Sequence, residues 1–78
     1  MRLLVIEDDR ETAQFLLKAL KESGHGADTA ADGDTGLAMA RDGNYDVLIV
    51  DRMLPKRDGL NVIETLRSEG TRTPALIL

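Results

Sequence analysis

Apolar residues along this chain form short continuous runs that alternate with longer stretches of mixed polarity. Aliphatic runs occupy positions 3–6, 47–50 and 75–78, and several of their residues are β-branched. Runs of this kind are typical of strands that are buried on both faces of a parallel sheet. The segment HGADTA at 25–30 is a weaker strand candidate, predicted mainly from its position in the chain.

The stretch that follows the first aliphatic run predicts a helix. Its apolar residues recur at the i, i+3, i+4 and i+7 spacing of one helix face, at Ala13, Leu16, Leu17 and Leu20. Asp8 or Asp9 can cap the start of this helix, and Gly24 can end it. Short acidic side chains accept hydrogen bonds from the free N–H groups of a first turn, and glycine tolerates a left-handed terminus.

Two further helices are predicted on the same grounds. In DGDTGLAMARDG, Leu37 and Ala40 face inward and the helix ends near Gly43. In DGLNVIETLRSEG, Asp58 is the expected cap. The inward positions of this third helix are Val62, Ile63 and Leu66.

The alternation of strands and helices predicts one α/β domain with a parallel sheet. We expect a doubly wound sheet with strand order 2-1-3-4. Crossovers between parallel strands are right-handed. The first helix would therefore lie alone on one face of the sheet, and the other two helices would share the opposite face.

Two strands that are expected to be neighbours both end in acidic residues. Glu7 and Asp8 follow the first aliphatic run directly, and Asp51 follows the run at 47–50. The carboxyl ends of parallel strands meet at one edge, where open α/β sheets bind their ligands. Converging carboxylates repel one another unless a cation binds between them, and Mg²⁺ prefers oxygen ligands. These residues therefore suggest a magnesium-dependent phosphoryl site.

Composition narrows the possible partners. The net charge of −4 argues against direct nucleic-acid contact by this segment, because such contact depends on Lys and Arg. The absence of cysteine excludes disulfides and thiol catalysis. No apolar run is long enough for a signal peptide or a membrane span. We expect no membrane contact and a cytoplasmic location.

Three segments together resemble the receiver domain of bacterial two-component response regulators. They are VIEDD at 5–9, LIVDRMLPKRDG at 48–59 and TPALIL at 73–78. The MLP and DG motifs of the middle segment are most similar to those of the subfamily with a C-terminal winged-helix DNA-binding domain. The resemblance implies a flavodoxin-like fold and phosphorylation-controlled signalling. Transcription would be regulated through a DNA-binding domain outside this segment.

The resemblance also implies a role for each residue of the acidic edge. Asp51 would accept the phosphoryl group from a sensor histidine kinase and form an aspartyl phosphate. Asp8 would bind Mg²⁺ directly, Glu7 would bind it through water, and Asp51 would also belong to the metal site. The backbone carbonyl of Met53 would complete the protein ligands. The domain would act as a switch and not as an enzyme.

The family fold has five strands and five helices, so residues 1–78 would be an incomplete receiver that stops after the fourth strand. The fourth helix, fifth strand and fifth helix would be absent, together with the Ser or Thr and the Lys that stabilise the phosphoryl group. One helix would then cover four strands, and the last strand would be an open edge. Exposed apolar surface and unpaired edges favour association. We therefore expect self-association.

Two other functions remain open. A magnesium-dependent phosphatase-like enzyme would place its nucleophile directly after the first strand, at Glu7. A truncated association module would bind Mg²⁺ weakly and would hold no lasting phosphoryl group.

Polar residues around the acidic edge have simpler expected roles. Asp9 is expected to cap the first helix, and Asp58 with Gly59 is expected to form a turn and cap. The basic pair Lys56 and Arg57 is expected to be solvated. His25 is expected in a surface loop or at the start of a strand.

Overall fold

The computed structural model describes residues 1–78 and contains four strands and three helices. In chain order they are β1 (Arg2–Ile6), α1 (Arg10–Glu22), β2 (Gly26–Ala30), α2 (Gly33–Asp42), β3 (Val47–Val50), α3 (Gly59–Ser68) and β4 (Ala75–Ile77). Every element predicted from the hydrophobic pattern is present, including the weak strand β2. None of the three helices is both long enough and apolar enough to cross a lipid bilayer.

The four strands form one parallel sheet in the order β2-β1-β3-β4. This order confirms the prediction and makes β1 and β3 neighbours, with Ile6 opposite Val50 at their carboxyl ends. Successive residues of a strand point to opposite faces, so each aliphatic run supplies both sides of the sheet.

Aspartate side chains fix the start of all three helices. Asp9, Asp32 and Asp58 are the N-cap residues, and each accepts a hydrogen bond from the backbone N–H three positions later. Of the two candidates for α1, Asp9 is the cap, which leaves Asp8 free of this role. Because the helices follow the carboxyl ends of the strands, the caps bring all three helix starts to the same edge of the sheet.

The face covered by α2 and α3 carries the larger core. Its nine buried residues are Leu4, Ile6, Ala30, Leu37, Ala40, Leu48, Val50, Val62 and Leu66. Gly36 of α2 lies so close to Ile6 that an added Cβ would be 2.6 Å from that side chain. The helix therefore packs almost directly on β1.

The opposite face is covered by α1 alone, as expected from the crossover rule. The buried cluster there is smaller and consists of Leu3, Val5 and Ile49, beneath the partly buried Leu16 and Leu20 of α1. The outer strand β4 pairs only with β3, and its residues beyond the half-buried Ala75 remain exposed, as does Leu78, which follows the strand. The exposed fractions are 61% for Leu76, 46% for Ile77 and 56% for Leu78.

Mixed charges are paired with one another at the amino edge of the sheet. The guanidinium of Arg2 lies 3.2 Å from Asp28 and 4.9 Å from the centre of the Tyr45 ring. The hydroxyl of Tyr45 donates to Asp28 at 2.7 Å, and the backbone N–H of Arg2 donates to Asp46 at 2.7 Å. We call these four residues the amino-edge network.

Candidate metal centre at the carboxyl edge

Backbone pairing sets the acidic residues side by side. The N–H of Asp51 donates to the carbonyl of Ile6 at 2.8 Å, which extends the β1–β3 pairing by one residue. The N–H of Glu7 donates to the carbonyl of Ala30 at 3.0 Å, on the other side of β1. Glu7 is thereby held between two strands, directly beside Asp51.

Glu7, Asp8 and Asp51 form one cluster, in which a carboxylate oxygen from each lies within 4.8 Å of the others. Glu7 is buried, with 7% of its surface exposed, whereas Asp51 is half-buried and Asp8 is exposed. The cluster therefore runs from the core to the solvent. The structure brings together the three carboxylates predicted to converge, while their roles as ligands and nucleophile remain predictions.

This acidic cluster has no basic partner within the protein. The four ion pairs of the chain all involve other acids, and none joins Glu7, Asp8 or Asp51 to a Lys or Arg. Uncompensated carboxylates at such distances are the arrangement that a divalent cation neutralises.

The surroundings of Glu7 within the cluster change the pKa of its carboxyl group. Burial and, after it, a hydrogen bond with Asp51 raise the pKa of Glu7 from an ordinary 4.5 to about 7. The N–H of Asp9, which donates to Glu7 Oε1 at 3.1 Å, acts in the opposite direction. The raised pKa shows that, without a cation, the site disfavours a further negative charge on Glu7.

Met53 lies at the start of the loop that follows β3. Its backbone N–H donates to Asp51 Oδ1 at 3.2 Å, so the loop turns back onto the carboxylate that precedes it. Its side chain is 78% exposed and makes no contribution to the core. The predicted use of its backbone carbonyl as a metal ligand stays a prediction.

Gly59, the first residue of α3, lies against the same strand end. Its N–H donates to the carbonyl of Arg52 at 3.0 Å, and a Cβ added to Gly59 would lie 2.1 Å from the carbonyl oxygen of Asp51. Only a residue without a side chain fits there. From the sequence, Gly59 is expected only in a turn and cap, because no local signal distinguishes this close approach from an ordinary cap.

The donors of the cluster are all hard oxygen atoms. Carboxylate oxygens with room for water on the exposed side suit Mg²⁺, which binds through one or two carboxylates and keeps several waters. The residues present therefore fit this ion.

Residues 3–78 match the family described as the response regulator receiver domain. The chain belongs to this family. The match confirms, over nearly the whole chain, the resemblance seen in VIEDD and LIVDRMLPKRDG. Members of this family transmit signals by phosphorylation.

Curated relatives of this receiver are transcriptional regulators. The chain is 44% identical over 78 residues to the transcriptional regulatory protein DltR of Streptococcus agalactiae. It is 46% identical over 78 residues to the transcriptional activator protein IrlR of Burkholderia pseudomallei. All 78 residues align in both cases but span only 35% of DltR and 34% of IrlR. The chain thus corresponds to about a third of these relatives.

Solved receivers share the fold. The receiver domain of the Francisella response regulator 1452 superposes with a TM-score of 0.95 at 36% identity, covering 97% of this chain and 63% of that one. The response regulator TrrA of Thermotoga maritima, crystallised in complex with Mg²⁺-BeF, superposes with a TM-score of 0.86 at 34% identity. That match covers 97% of this chain and 64% of TrrA.

The basic pair of this receiver differs from the expectation of two solvated side chains. Lys56 is exposed, with its Nζ 3.8 Å from Asp32. Arg57 is half-buried, and its guanidinium donates to Asp34 at 2.9 Å and to Asn61 at 2.6 Å. The expectation is wrong for Arg57. Asp34 lies on α2, 23 residues earlier in the chain, whereas Asn61 lies on α3, four residues later. The sequence around Arg57 gave no indication of the pair with Asp34.

Proposed function

We propose that this chain is a phosphorylation-controlled signalling receiver in which Asp51 accepts a phosphoryl group from a sensor histidine kinase in a Mg²⁺-dependent step. The cluster of three carboxylates without a basic partner supports this proposal most directly. Membership of the receiver family and the transcriptional regulators among its relatives agree with it.

The reaction would be a transfer between two nucleophiles. A carboxylate oxygen of Asp51 attacks phosphorus, the P–N bond of the kinase phosphohistidine breaks, and the imidazole nitrogen leaves with the bonding electrons. The product is an aspartyl phosphate. Asp51 suits this role because it is half-buried at the mouth of the cluster and remains reachable from solvent.

Glu7 is a poor alternative nucleophile. Its side chain is buried, with 7% of its surface exposed, so a phosphodonor reaches it less easily than it reaches the half-buried Asp51. This burial disfavours the phosphatase-like enzyme, in which Glu7 would carry the phosphoryl group.

Glu7, Asp8, Asp51 and the carbonyl of Met53 would hold the Mg²⁺ ion in this proposal. Bound there, Mg²⁺ would neutralise negative charge on the phosphoryl oxygens. The complex of TrrA, a relative at 34% identity, with Mg²⁺-BeF supports this choice of ion.

A chemical phosphodonor tests the proposal without the kinase. The intact protein is incubated with acetyl phosphate and Mg²⁺, and the acyl phosphate is trapped with borohydride and located by mass spectrometry. We expect the label on Asp51, and no label at this position in Asp51→Asn or after chelation of Mg²⁺. Asp42→Asn, which neutralises an exposed acid at the end of α2, is the matched control and should be labelled like the wild type.

Other results would favour the alternatives. Label on Glu7, or rapid turnover of an unrelated phosphate ester, would support the phosphatase-like enzyme. No label on any residue would support an association module.

We further propose that DNA is bound by a part of the protein outside residues 1–78 and that the protein works in the cytoplasm. The chain spans about a third of DltR and IrlR, whose names describe transcriptional regulation. Its own net charge of −4 is unsuited to a phosphate backbone. Binding of residues 1–78 alone to promoter DNA at physiological salt would contradict this assignment.

We also propose self-association through β4 for a chain of this extent. The outer edge of β4 has no neighbouring strand, and Leu76 and Leu78 remain more than half exposed. Unpaired edges with apolar side chains pair readily with a second copy. In a longer chain, following segments could occupy the same surface.

Sedimentation at increasing concentration tests this association on residues 1–78. We expect a dimer that Leu76→Lys disrupts, whereas Leu60→Lys on α3 leaves it intact. A folded monomer at high concentration would contradict the proposal.

A further inference from the structure

The loop between β3 and α3 contains a strained turn. Lys56 has a φ of 70° and is the only residue other than glycine with a positive φ. The N–H of Arg57 donates across it to the carbonyl of Pro55 at 2.8 Å. A three-residue turn with positive φ is rare and unfavourable, and such a conformation persists only where its surroundings impose it.

The first turn of α2 supplies these surroundings. The N–H of Gly33 donates to the carbonyl of Pro55 at 3.1 Å. Asp32 pairs with Lys56, and Asp34 pairs with Arg57. The backbones are in contact as well, because a Cβ added to Gly33 would lie 1.9 Å from the carbonyl oxygen of Arg57.

The loop is therefore held at three points. Its beginning is held by the hydrogen bond from Met53 to Asp51, and its middle by Leu54, which packs against the larger core. Its end is held on α2 by Arg57, whose guanidinium also reaches Asn61 of α3. Arg57 thus joins the loop to both neighbouring helices.

We propose that Arg57 is a positioning residue for the metal centre, which keeps the strained loop on α2 so that the backbone of Met53 stays beside Asp51. The inference rests on the proposed function, since it concerns the Mg²⁺ site of that proposal. Without Arg57, the turn at Lys56 can relax, and the backbone of Met53 can move away from the acidic cluster.

Simple electrostatics predicts the opposite effect for the same residue. A positive charge near a cation site weakens cation binding, so removing the guanidinium would strengthen the binding of Mg²⁺. A loss of positioning would weaken it. The direction of the change therefore distinguishes the two roles of Arg57.

Calorimetric titration of the intact protein with Mg²⁺ measures this direction. For Arg57→Gln we expect a dissociation constant about two- to fivefold higher than that of the wild type, because an exposed pair of this kind contributes no more than about 1 kcal/mol. Arg57→Lys should be intermediate, since it keeps the charge and loses the second contact to Asn61.

Arg41→Gln is the matched control. Arg41 pairs with Glu69 and joins α2 to the end of α3 at the opposite end of these helices, far from Asp51 along both elements. The substitution removes the same charge and the same kind of pair. We expect unchanged Mg²⁺ affinity, with a change in thermal stability similar to that of Arg57→Gln.

Unchanged or tighter binding by Arg57→Gln would overturn the positioning role. Weakening of equal size in Arg41→Gln would also overturn it, because the effect would then follow general stability. If the wild type itself bound no Mg²⁺, the proposed function would fail first and this inference with it. Loss of binding in Asp8→Asn, with binding retained in the wild type, shows that the titration reports on the intended site.

Discussion

The two edges of the sheet are both rich in acidic side chains, but these side chains have different partners at each edge. At the amino edge, Asp28 is paired with Arg2 and Tyr45, and Asp46 accepts a backbone hydrogen bond. At the carboxyl edge, Glu7, Asp8 and Asp51 lie within 4.8 Å of one another and have no basic partner. The two ends of β1 reach both edges, with Arg2 as its first residue and Glu7 directly after its last.

The charges of the amino edge interact with one another and stabilise the fold. The carboxylates of the acidic cluster remain available to bind a cation. In the amino-edge network, each carboxylate accepts a hydrogen bond from within the protein. The carboxylates of the acidic cluster repel one another, and a bound cation can reduce this repulsion. Each edge can be tested by neutralising one of its acids, and the two substitutions should change stability in opposite directions.

The largest expected effect is stabilisation by Mg²⁺. A ligand that binds only the folded state at one hundred times its dissociation constant raises the free energy of unfolding by about 2.7 kcal/mol. Thermal or urea unfolding of the intact protein with and without Mg²⁺ measures this gain. It should vanish in Asp8→Asn and persist in Asp28→Asn. A gain that survives the loss of Asp8 would assign the ion to another site.

The second effect concerns Glu7 in the protein without metal. Burial and, after it, a hydrogen bond with Asp51 raise its pKa from an ordinary 4.5 to about 7, so the folded state binds more protons than the unfolded state between these values. Stability is therefore fully present below about pH 4.5 and is lost as the pH rises through about 7. Glu7→Gln should be more stable than the wild type at pH 8 by about 1–2 kcal/mol, after allowance for solvent screening.

Urea unfolding at pH 5 and pH 8 in the presence of a chelator checks this prediction. The difference between Glu7→Gln and the wild type should grow with pH. Glu64→Gln, on the exposed face of α3, controls for the loss of one charge and should change stability by less than about 0.5 kcal/mol. A destabilised Glu7→Gln at pH 8 would contradict the idea that the carboxylates of the acidic cluster repel one another.

The amino edge should respond in the opposite direction. Asp28→Asn weakens the acceptor of the Tyr45 hydroxyl and removes the charge that faces Arg2. We expect a loss of about 0.5–1 kcal/mol in the free energy of unfolding, and Mg²⁺ affinity should not change. If Asp28→Asn stabilised the protein as Glu7→Gln is expected to do, the contrast between the edges would disappear.

The smallest expected effect belongs to the strained turn at the carboxyl edge. Lys56→Gly removes the cost of a left-handed conformation, about 1–2 kcal/mol, but gives the unfolded chain more freedom and deletes the pair with Asp32. We expect a net gain of about 0.5 kcal/mol. Lys56→Ala, which loses the same pair and keeps the Cβ, is the control and should show no gain.

Sequence patterns predicted the elements and the acidic cluster because both depend on local signals. Aliphatic runs and helical spacing identified the strands and helices, and the crossover rule assigned α1 to its own face. Glu7 and Asp51 follow their strands directly, so the adjacency of β1 and β3 was sufficient to bring them together. The buried position of Glu7 and the exposed position of Asp8 required the structure.

Several features that were missed depend on contacts between residues far apart in the sequence. Arg57 and Asp34 are 23 positions apart, and the N–H of Arg2 and the carboxylate of Asp46 are 44 positions apart. Helical or strand periodicity carries no information about such pairs. The positive φ of Lys56 was missed because such a conformation is usually marked by glycine or asparagine.

The contact between Gly59 and the backbone of Asp51 has a mechanical consequence. The first residue of α3 rests on the carbonyl group of Asp51 with no side chain between them. A shift of this helix along its axis would therefore press on the strand end that carries the carboxylate, and a displaced Asp51 would press back on the helix. The contact is direct, from backbone to backbone, so a single methyl group at position 59 would force the start of α3 away from the strand end.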